Sequence, residues 1–580
     1  MKISRENNHL TVVTLATATL CTLLVNPWLA LDPINIIKQS ALFLGASLIA
    51  ALVISQFRSY LNKNRVVLVV LGFWIAALTI SYFVHFGNVV FAQQTWGAWG
   101  RSTGTLTFIA FAILIAGGAC INLNSASTVV FKWFDRCTYT VAAYTILQYA
   151  ALDPINWSQK DTFATLGNIN FMSGFLGLAI SLLLGRVLLQ NLPYLTKIFY
   201  ISLAATYSAL IYFSGSLQGL IMSAAAFFVA VLIRFYSNLR AFWLITFSFV
   251  ATLTFSILGL AVFGKGILGG KLVQQTMLYR TDYWRAGMQM FRDYPIFGLG
   301  QDSYGDYYRQ FRDVLAVTRT GPNRYTNTAH NVFLDLAVGS GLMGILPLSL
   351  LVILVLMGTI KSLKSNLLQH NTALVLFPAW ISFLVFCMIS INQIGVSAWG
   401  FIFTGILLGN ISQSETKPGS SLSNSKNRVM DKELTNVANK INVMRTWLSY
   451  AAFLIVGLIL SAPPNFADSG FYLATKSKNL QNMERYAFSL GSQDSHRELL
   501  ISNYVDAKNY TKAYETARRS LEINSRNFYF NVAILESFGI ASPAEVREAA
   551  ERLTSLDPLN SELQKRIDLV LAGLKDSQNN

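Results

Sequence analysis

Ser340–Ile360 reads SGLMGILPLSLLVILVLMGTI, twenty-one residues without one ionisable side chain. A helix of about 20 apolar residues spans a hydrocarbon core of about 30 Å, so this stretch is a membrane helix. Working outward, the same signal recurs. Thirteen apolar runs lie at roughly 9–30, 38–56, 65–86, 103–122, 137–152, 168–190, 195–213, 216–234, 241–264, 340–360, 372–392, 396–412 and 446–462. Charged residues make up 13% of the 580, against about 25% in globular proteins, and the mean hydropathy is +0.43. A soluble enzyme is excluded. The expected fold class is an all-α polytopic membrane protein of about 12 core transmembrane helices plus a thirteenth.

Orientation follows from the basic residues of short loops, which stay on the cytoplasmic side. Lys2 and Arg5 precede the first run, and Asn26-Pro27-Trp28 follows it without a small-residue cleavage site, so a retained helix is expected. An inside N-terminus places Arg58, Lys63 and Arg65, then Lys132 and Arg136, Arg186 and Lys197, Arg234 and Arg240, and Lys361 and Lys364 all on the cytoplasmic side. Residues 265–339, between the ninth and tenth helices, then form a large extracytoplasmic loop within a transmembrane unit, 1–412. The Ser/Asn/Lys-rich stretch 413–445 reads as a cytoplasmic linker and 446–462 as the thirteenth helix, which leaves 463–580 extracytoplasmic. The net charge of +16 mostly flanks apolar runs, which argues against a nucleic-acid partner. Cys21, Cys120, Cys137 and Cys387 are scattered in or beside apolar segments and read as buried apolar residues, without metal-ligand spacing.

Residues 463–580 carry both signs of charge at helical periodicity and read as a soluble α-helical repeat domain. Tyr510-Thr-Lys-Ala513, then Ala517, Leu521 and Ile523, followed by a segment ending Leu556-Asp-Pro558, suggest degenerate units near the 34-residue tetratricopeptide period. Such arrays offer concave surfaces to a protein partner.

The outward loop holds the polar chemistry. From Lys265 to Arg324 it has nine basic residues against Asp282, Asp293, Asp302, Asp306 and Asp313, a balance of +4. Seven of the nine are Arg, whose fork suits phosphate or carboxylate, so an anionic partner is expected, beside local pairs such as Asp282 with Arg285. Met277, Arg280, Trp284, Met288 and Phe291 fall on one stripe, which predicts an interfacial helix ended by the turn Pro295-Ile-Phe-Gly298-Leu-Gly300. His330 stands in the polar cluster Thr326-Asn-Thr-Ala-His-Asn331 at the membrane surface, where a neutral imidazole can take a proton from a hydroxyl nucleophile. His9, His85, His370 and His496 lie in ordinary flanking or soluble positions and read as structural. Gly339-Ser-Gly341-Leu-Met-Gly344 spells a dinucleotide fingerprint but opens a membrane helix and follows no strand, so close packing of small residues is the better reading.

These residues together resemble the O-antigen ligase and O-antigen polymerase superfamily. The similarity rests on Arg280-x-x-Tyr-Trp284 running into Tyr294-Pro-Ile-Phe-Gly298-Leu-Gly300, then Ala329-His330-Asn331-Val-Phe-Leu334 and Gly341-x-x-Gly344, with Gly167-Asn168-Ile-Asn170 opening the sixth helix. It covers roughly residues 90–412. The resemblance implies a metal-independent, inverting glycosyltransferase that needs no cofactor. It would act at the outer face of the bacterial cytoplasmic (inner) membrane, taking a glycan from undecaprenyl diphosphate and passing it to a lipid, glycan or protein hydroxyl. It also implies that His330 orients or deprotonates the acceptor while Arg280 stabilises the departing diphosphate. Where many members place an Arg after a Ser on a membrane helix, Ser214-Gly-Ser216-Leu-Gln218-Gly219 has Gln218. Arg101 and Arg285 are the candidates for the missing cation, and Asn168, Asn170, Gln218 and Asn331 complete the expected substrate-binding set, for diphosphate or glycan.

A ligase, a polysaccharide polymerase and a protein O-oligosaccharyltransferase share these motifs. A transporter or lipid flippase would place ionisable residues along its helices, whereas here the apolar runs are nearly free of them. A membrane-anchored scaffold would leave the order of Arg280, the Pro-Gly turn and His330 without a reason.

Overall fold

The computed structural model describes residues 2–55, 57–157, 161–236, 275–364, 372–413, 432–537 and 539–579. Among them there is no β-strand, and the chain is a succession of helices. Twelve of the thirteen apolar runs lie on helices, from Lys2–Leu23 to Lys432–Lys476, and the run 241–264 lies outside the described residues. Eight described helices are long and apolar enough to cross a membrane, and His9–Leu23, Thr105–Ala119 and Ile394–Asn410 are shorter apolar helices. The protein is therefore a multi-pass, helical membrane protein.

Lipid offers no solvent gain for helix association, so close backbone approach has to drive packing. Between helices Thr105–Ala119 and Ile394–Gln413, a Cβ on Gly405 would fall 2.2 Å from the Ile115 carbonyl oxygen, and one on Gly409 2.0 Å from that of Ala119. Trp74, Trp380 and Trp399 fill the core around this seam. Lys38 is fully buried, and its ammonium donates to the carbonyls of Cys21 (3.0 Å) and Thr22 (2.5 Å) at the end of the first helix. A cation there satisfies carbonyls that the helix end leaves open.

Helix Val332–Lys364 is broken at Gly341 (φ 60°, ψ −155°), and the break receives the turn that follows the loop helix. Leu299 and Gly300 donate their N–H groups to Val338 and Gly339, and Leu342 and Met343 donate back to Pro295 and Ile296, at 2.8–3.2 Å. Gly341 must be glycine: its φ is left-handed, and a Cβ would sit 2.3 Å from the Ile296 carbonyl oxygen. Gly298 (φ 72°) is equally constrained, 2.4 Å from the Val338 oxygen. The fingerprint-like glycines thus admit the backbone of residues 295–300 into a split helix and bind no nucleotide there.

The thirteenth apolar run does not end at residue 462. It continues without interruption to Lys476 through Pro463 and Pro464, and the helix starts at Lys432, inside the stretch read as linker. Asp468 on it accepts the N–H groups of Leu31 (2.7 Å) and Asp32 (3.1 Å). Six shorter helices follow, Leu480–Ala487, Asp494–Asp506, Tyr510–Ile523, Phe528–Glu536, Pro543–Leu556 and Ser561–Asn579. The second, fourth and sixth begin 34 and 33 residues apart, and Asn479, Asn509, Asn527 and Ser542 each cap the helix that follows them through their side chains.

These helices sit on the segment between Gln275 and Asn331. Asp557, completely buried, accepts from Arg309 Nη1 (3.0 Å) and Arg312 Nη2 (2.6 Å). Gln493 donates to the Gly97 carbonyl (2.7 Å), and Arg526 donates to Gln310 (2.6 Å) while lying 3.8 Å above the Tyr307 ring. Four of the loop's cations, Arg285, Arg309, Arg312 and Arg319, are thus engaged by Asp282, Asp313 and Asp557. The chain itself answers part of the charge for which the sequence alone suggested an outside anion.

Candidate functional site

The loop helix runs Gln275–Asp293, as its periodicity predicts, but the face it buries is Met277, Arg280, Tyr283, Ala286, Gly287 and Met290. Met288 is exposed. The buried face packs on helix Val332–Lys364, with Gly287 close to Leu334, so the loop helix is fastened to protein along the side that carries Arg280.

Arg280 is buried, and its Nη1 donates to the Met277 sulfur at 3.3 Å. Among the described residues no carboxylate pairs with it. Burial lowers its pKa to about 10, which leaves it cationic at neutral pH. A buried guanidinium without a counter-charge is costly unless an anion completes it.

Arg101 comes from the other side. The segment between helices Phe91–Trp96 and Thr105–Ala119 turns through Gly97, Gly100 and Ser102, all at positive φ. Asp302 holds this turn by accepting from the Ala98 N–H (2.6 Å) and the Thr103 hydroxyl (3.0 Å). Burial raises the Asp302 pKa, while neighbouring Arg101 opposes the rise. Arg101 donates from Nη2 to the Asn327 side chain, and its Nε and Nη1 find no partner among the described residues. Burial also lowers the Arg101 pKa.

His330 lies where these two cations converge. Its backbone is left-handed (φ 54°), a conformation uncommon outside glycine and worth noting at a reacting group. The turn is held from within: Asp335 accepts from the Ala329 N–H (2.7 Å) and the Thr328 hydroxyl, and Thr328 Oγ1 in turn accepts from the His330 N–H (3.2 Å). The imidazole stacks on Tyr283, centroids 5.4 Å apart. Burial first, then the charges of Arg101 and Arg280, lower the His330 pKa to about 3. The imidazole is neutral, with two cations as electrostatic neighbours.

The other residues singled out in the sequence are placed elsewhere or otherwise engaged. Arg285 is held by Asp313 (2.6 Å) and Asp282 (2.5 Å), and the hydrogen bond to Asp313 raises its pKa. Asn331 adjoins His330, and its side chain accepts from the Leu334 N–H (3.0 Å) to open the next helix. Asn168 caps helix Ile169–Leu189, while Asn170 accepts from the Ser216 hydroxyl (2.8 Å). Gln218 is buried near Gly174, and neither polar atom of its amide has a partner among the described residues. Asn168, Asn170 and Gln218 thus share the ends of helices Ile169–Leu189 and Gln218–Phe235, and no described contact joins them to His330.

Sequence reasoning quoted Tyr283, Asp302, Asn327 and Thr328 within its motifs and charge count without giving any of them a role, and it missed Asp335, an acid in the otherwise apolar stretch Val332–Val338.

Residues 202–349 match the sequence model of the O-antigen ligase family, an interval that contains Arg280, the Pro295–Gly300 turn, His330 and the broken helix up to Ser349. No curated protein matches the chain significantly.

Proposed function

We propose, on the premise that residues 202–349 form an O-antigen ligase-family segment, that this multi-pass protein transfers a glycan from undecaprenyl diphosphate to an acceptor hydroxyl, with inversion at the anomeric carbon. The reaction takes place at the outer face of the bacterial cytoplasmic membrane, with residues 265–339 and 463–580 extracytoplasmic. A ligase reaction is the reading the family match favours. A polysaccharide polymerase or a protein O-oligosaccharyltransferase differs only in the acceptor. The six short C-terminal helices are read as a tetratricopeptide-like array.

The observation that supports this most is the pairing of a neutral His330 with two cations, Arg101 and Arg280, of which Arg280 lacks a carboxylate among the described residues. A diphosphate supplies the anion such an arrangement is short of. Burial first, and then these two charges, lower the His330 pKa to about 3, which makes it a weak base. Bound diphosphate offsets Arg101 and Arg280 and so removes their share of that depression, raising the basicity of the imidazole when donor is present. The acceptor oxygen then attacks the anomeric carbon and its proton passes to His330. The bond from that carbon to the diphosphate oxygen breaks on the opposite face, and Arg280 with Arg101 stabilises the leaving anion.

Deleting the gene and quantifying lipid-diphosphate-linked glycan by mass spectrometry tests this. Donor should accumulate while one surface glycan or glycoprotein disappears, and wild type should restore both. His330→Asn keeps the left-handed backbone that Asn tolerates and should restore neither. An unchanged donor pool in the deletion would refute the reading.

A further inference from the structure

A cavity of about 1200 Å³ opens between the loop and the C-terminal helices. Ligand pockets for drug-sized molecules hold about 300–1,000 Å³, so this space admits a longer chain. Its walls are fixed to one another by Asp557 with Arg309 and Arg312, and by Gln493 with Gly97. The cleft exists before any ligand arrives, which removes an ordering penalty from binding.

We propose that this cleft binds a neutral carbohydrate chain, the acceptor of the reaction, and leads its hydroxyl end past Arg101 toward His330. Arg101 lines the cleft and is at the same time an electrostatic neighbour of His330, so one residue joins the two sites. Three rings that line it, Trp99, Tyr325 and Tyr529, are exposed, although large aromatics favour burial. Flat, exposed rings match the C–H faces of pyranose sugars. Among them stand fixed hydrogen-bonding groups: Asn527 donates to Asp494 (3.0 Å) and Glu498 (2.8 Å), and Gln93 donates to Asp306 (2.9 Å).

The charge of the lining selects among occupants. Five carboxyl groups on its walls, Asp306, Asp494 and Glu498 among them, against Arg101, Arg309 and Arg526 leave the cleft without net positive charge, which disfavours phosphate or an acidic chain. Burial pushes Asp306 and Glu498 up to about 7, so near neutral pH each carboxyl both donates and accepts, which is the requirement of a sugar hydroxyl. A peptide acceptor would look for a continuous apolar groove or an open strand edge. The lining combines apolar side chains of the C-terminal helices, among them Leu499, Val505, Val532 and Ile540, with exposed rings and polar groups, so a peptide is the competing occupant that the binding experiment separates.

The proposal rests on the transferase reading for what happens at the inner end of the cleft, while binding can be measured without transfer. Full-length protein in lipid nanodiscs would be titrated with short neutral oligosaccharides of glucose, galactose, mannose and N-acetylglucosamine. A Ser/Thr-rich peptide and inorganic pyrophosphate serve as comparators, and saturation-transfer NMR and calorimetry as readouts. At least one oligosaccharide should bind saturably. Trp99→Ala with Tyr529→Ala, both exposed side chains, should weaken it by roughly 10- to 30-fold, the usual effect of losing aromatic anchors. Glu498→Gln, which keeps the shape, should weaken it by a smaller factor. Absence of oligosaccharide binding, equal binding by the aromatic double variant, or tighter binding of the peptide at the same residues would overturn the proposal. Retained transfer by His330→Asn would overturn the mechanism and leave the cleft assignment standing.

Discussion

The ring of Tyr283 lies against that of His330, with planes 27° apart and centroids separated by 5.4 Å. Tyr283 is buried on the same helix face as Arg280, and its carbonyl accepts the Tyr304 hydroxyl at 2.7 Å. The stack therefore fixes the imidazole plane relative to the Arg280 guanidinium. Tyr283→Phe should transfer glycan at close to the wild-type rate, because the ring remains. Tyr283→Ala should lose about 10- to 100-fold, the scale of a misplaced reacting group, with acceptor KM little changed. Steady-state rates on lipid-linked donor check this.

The low pKa of His330 has a consequence for stability. In the unfolded chain the imidazole takes a proton near pH 6.5, whereas in the folded protein it does so only near 3. The unfolded state thus binds more protons between these values, and the folded state loses stability as pH falls from 6.5 toward 3. His330→Asn should show a shallower fall in thermal midpoint over that range than wild type. Parallel curves for the two proteins would contradict the burial and charge environment assigned to His330.

Asp302 touches no substrate in this account and acts through Arg101. Replacing it by Ala removes the one oxygen that accepts from both the Ala98 N–H and the Thr103 hydroxyl, so the turn 97–103 should loosen by about 1–3 kcal/mol. The expected result is a raised donor KM with faster amide exchange in that turn. Unchanged exchange together with lost activity would mean that Asp302 acts in some other way.

Asp557→Asn removes the charge that holds Arg309 and Arg312 beneath the C-terminal helices. Breaking a buried pair from one side typically costs about 3–5 kcal/mol, enough to release helix Pro543–Leu556 from the loop. Limited proteolysis should then cut within residues 543–579 far faster than in wild type, while the membrane helices stay protected. Equal cutting would show that the docking rests on other contacts.

The helices were legible in the sequence because lipid imposes length and apolarity on each one, as at Ser340–Ile360. His330 and Arg280 were legible through the resemblance and through chemistry, since an unusual polar cluster at a membrane surface stands out. Helix Lys432–Lys476 was not, because apolarity alone bounds the run at 446–462, whereas the helix continues beyond it at both ends and through Pro463 and Pro464. The role of Arg101 as the second cation near His330 depends on Asp302 and Asn327, more than two hundred residues away in the chain, and no local pattern encodes that. Arg309 and Arg312 looked like part of an anion-binding loop because their partner, Asp557, lies at the far end of the sequence.

The central claim is that His330 and Arg280 carry out glycosyl transfer from a lipid diphosphate. The most direct test uses purified full-length protein in nanodiscs with a radiolabelled undecaprenyl-diphosphate oligosaccharide and the cell's own acceptor fraction, following label in lipid and product. Wild type should move label from lipid to acceptor. His330→Asn and Arg280→Lys should each reduce the rate by at least about 100-fold while the protein stays folded, consistent with removing a general base or a two-point anion ligand. Transfer at the wild-type rate by either variant, or no transfer by the wild type with donor and acceptor both present, would contradict the account.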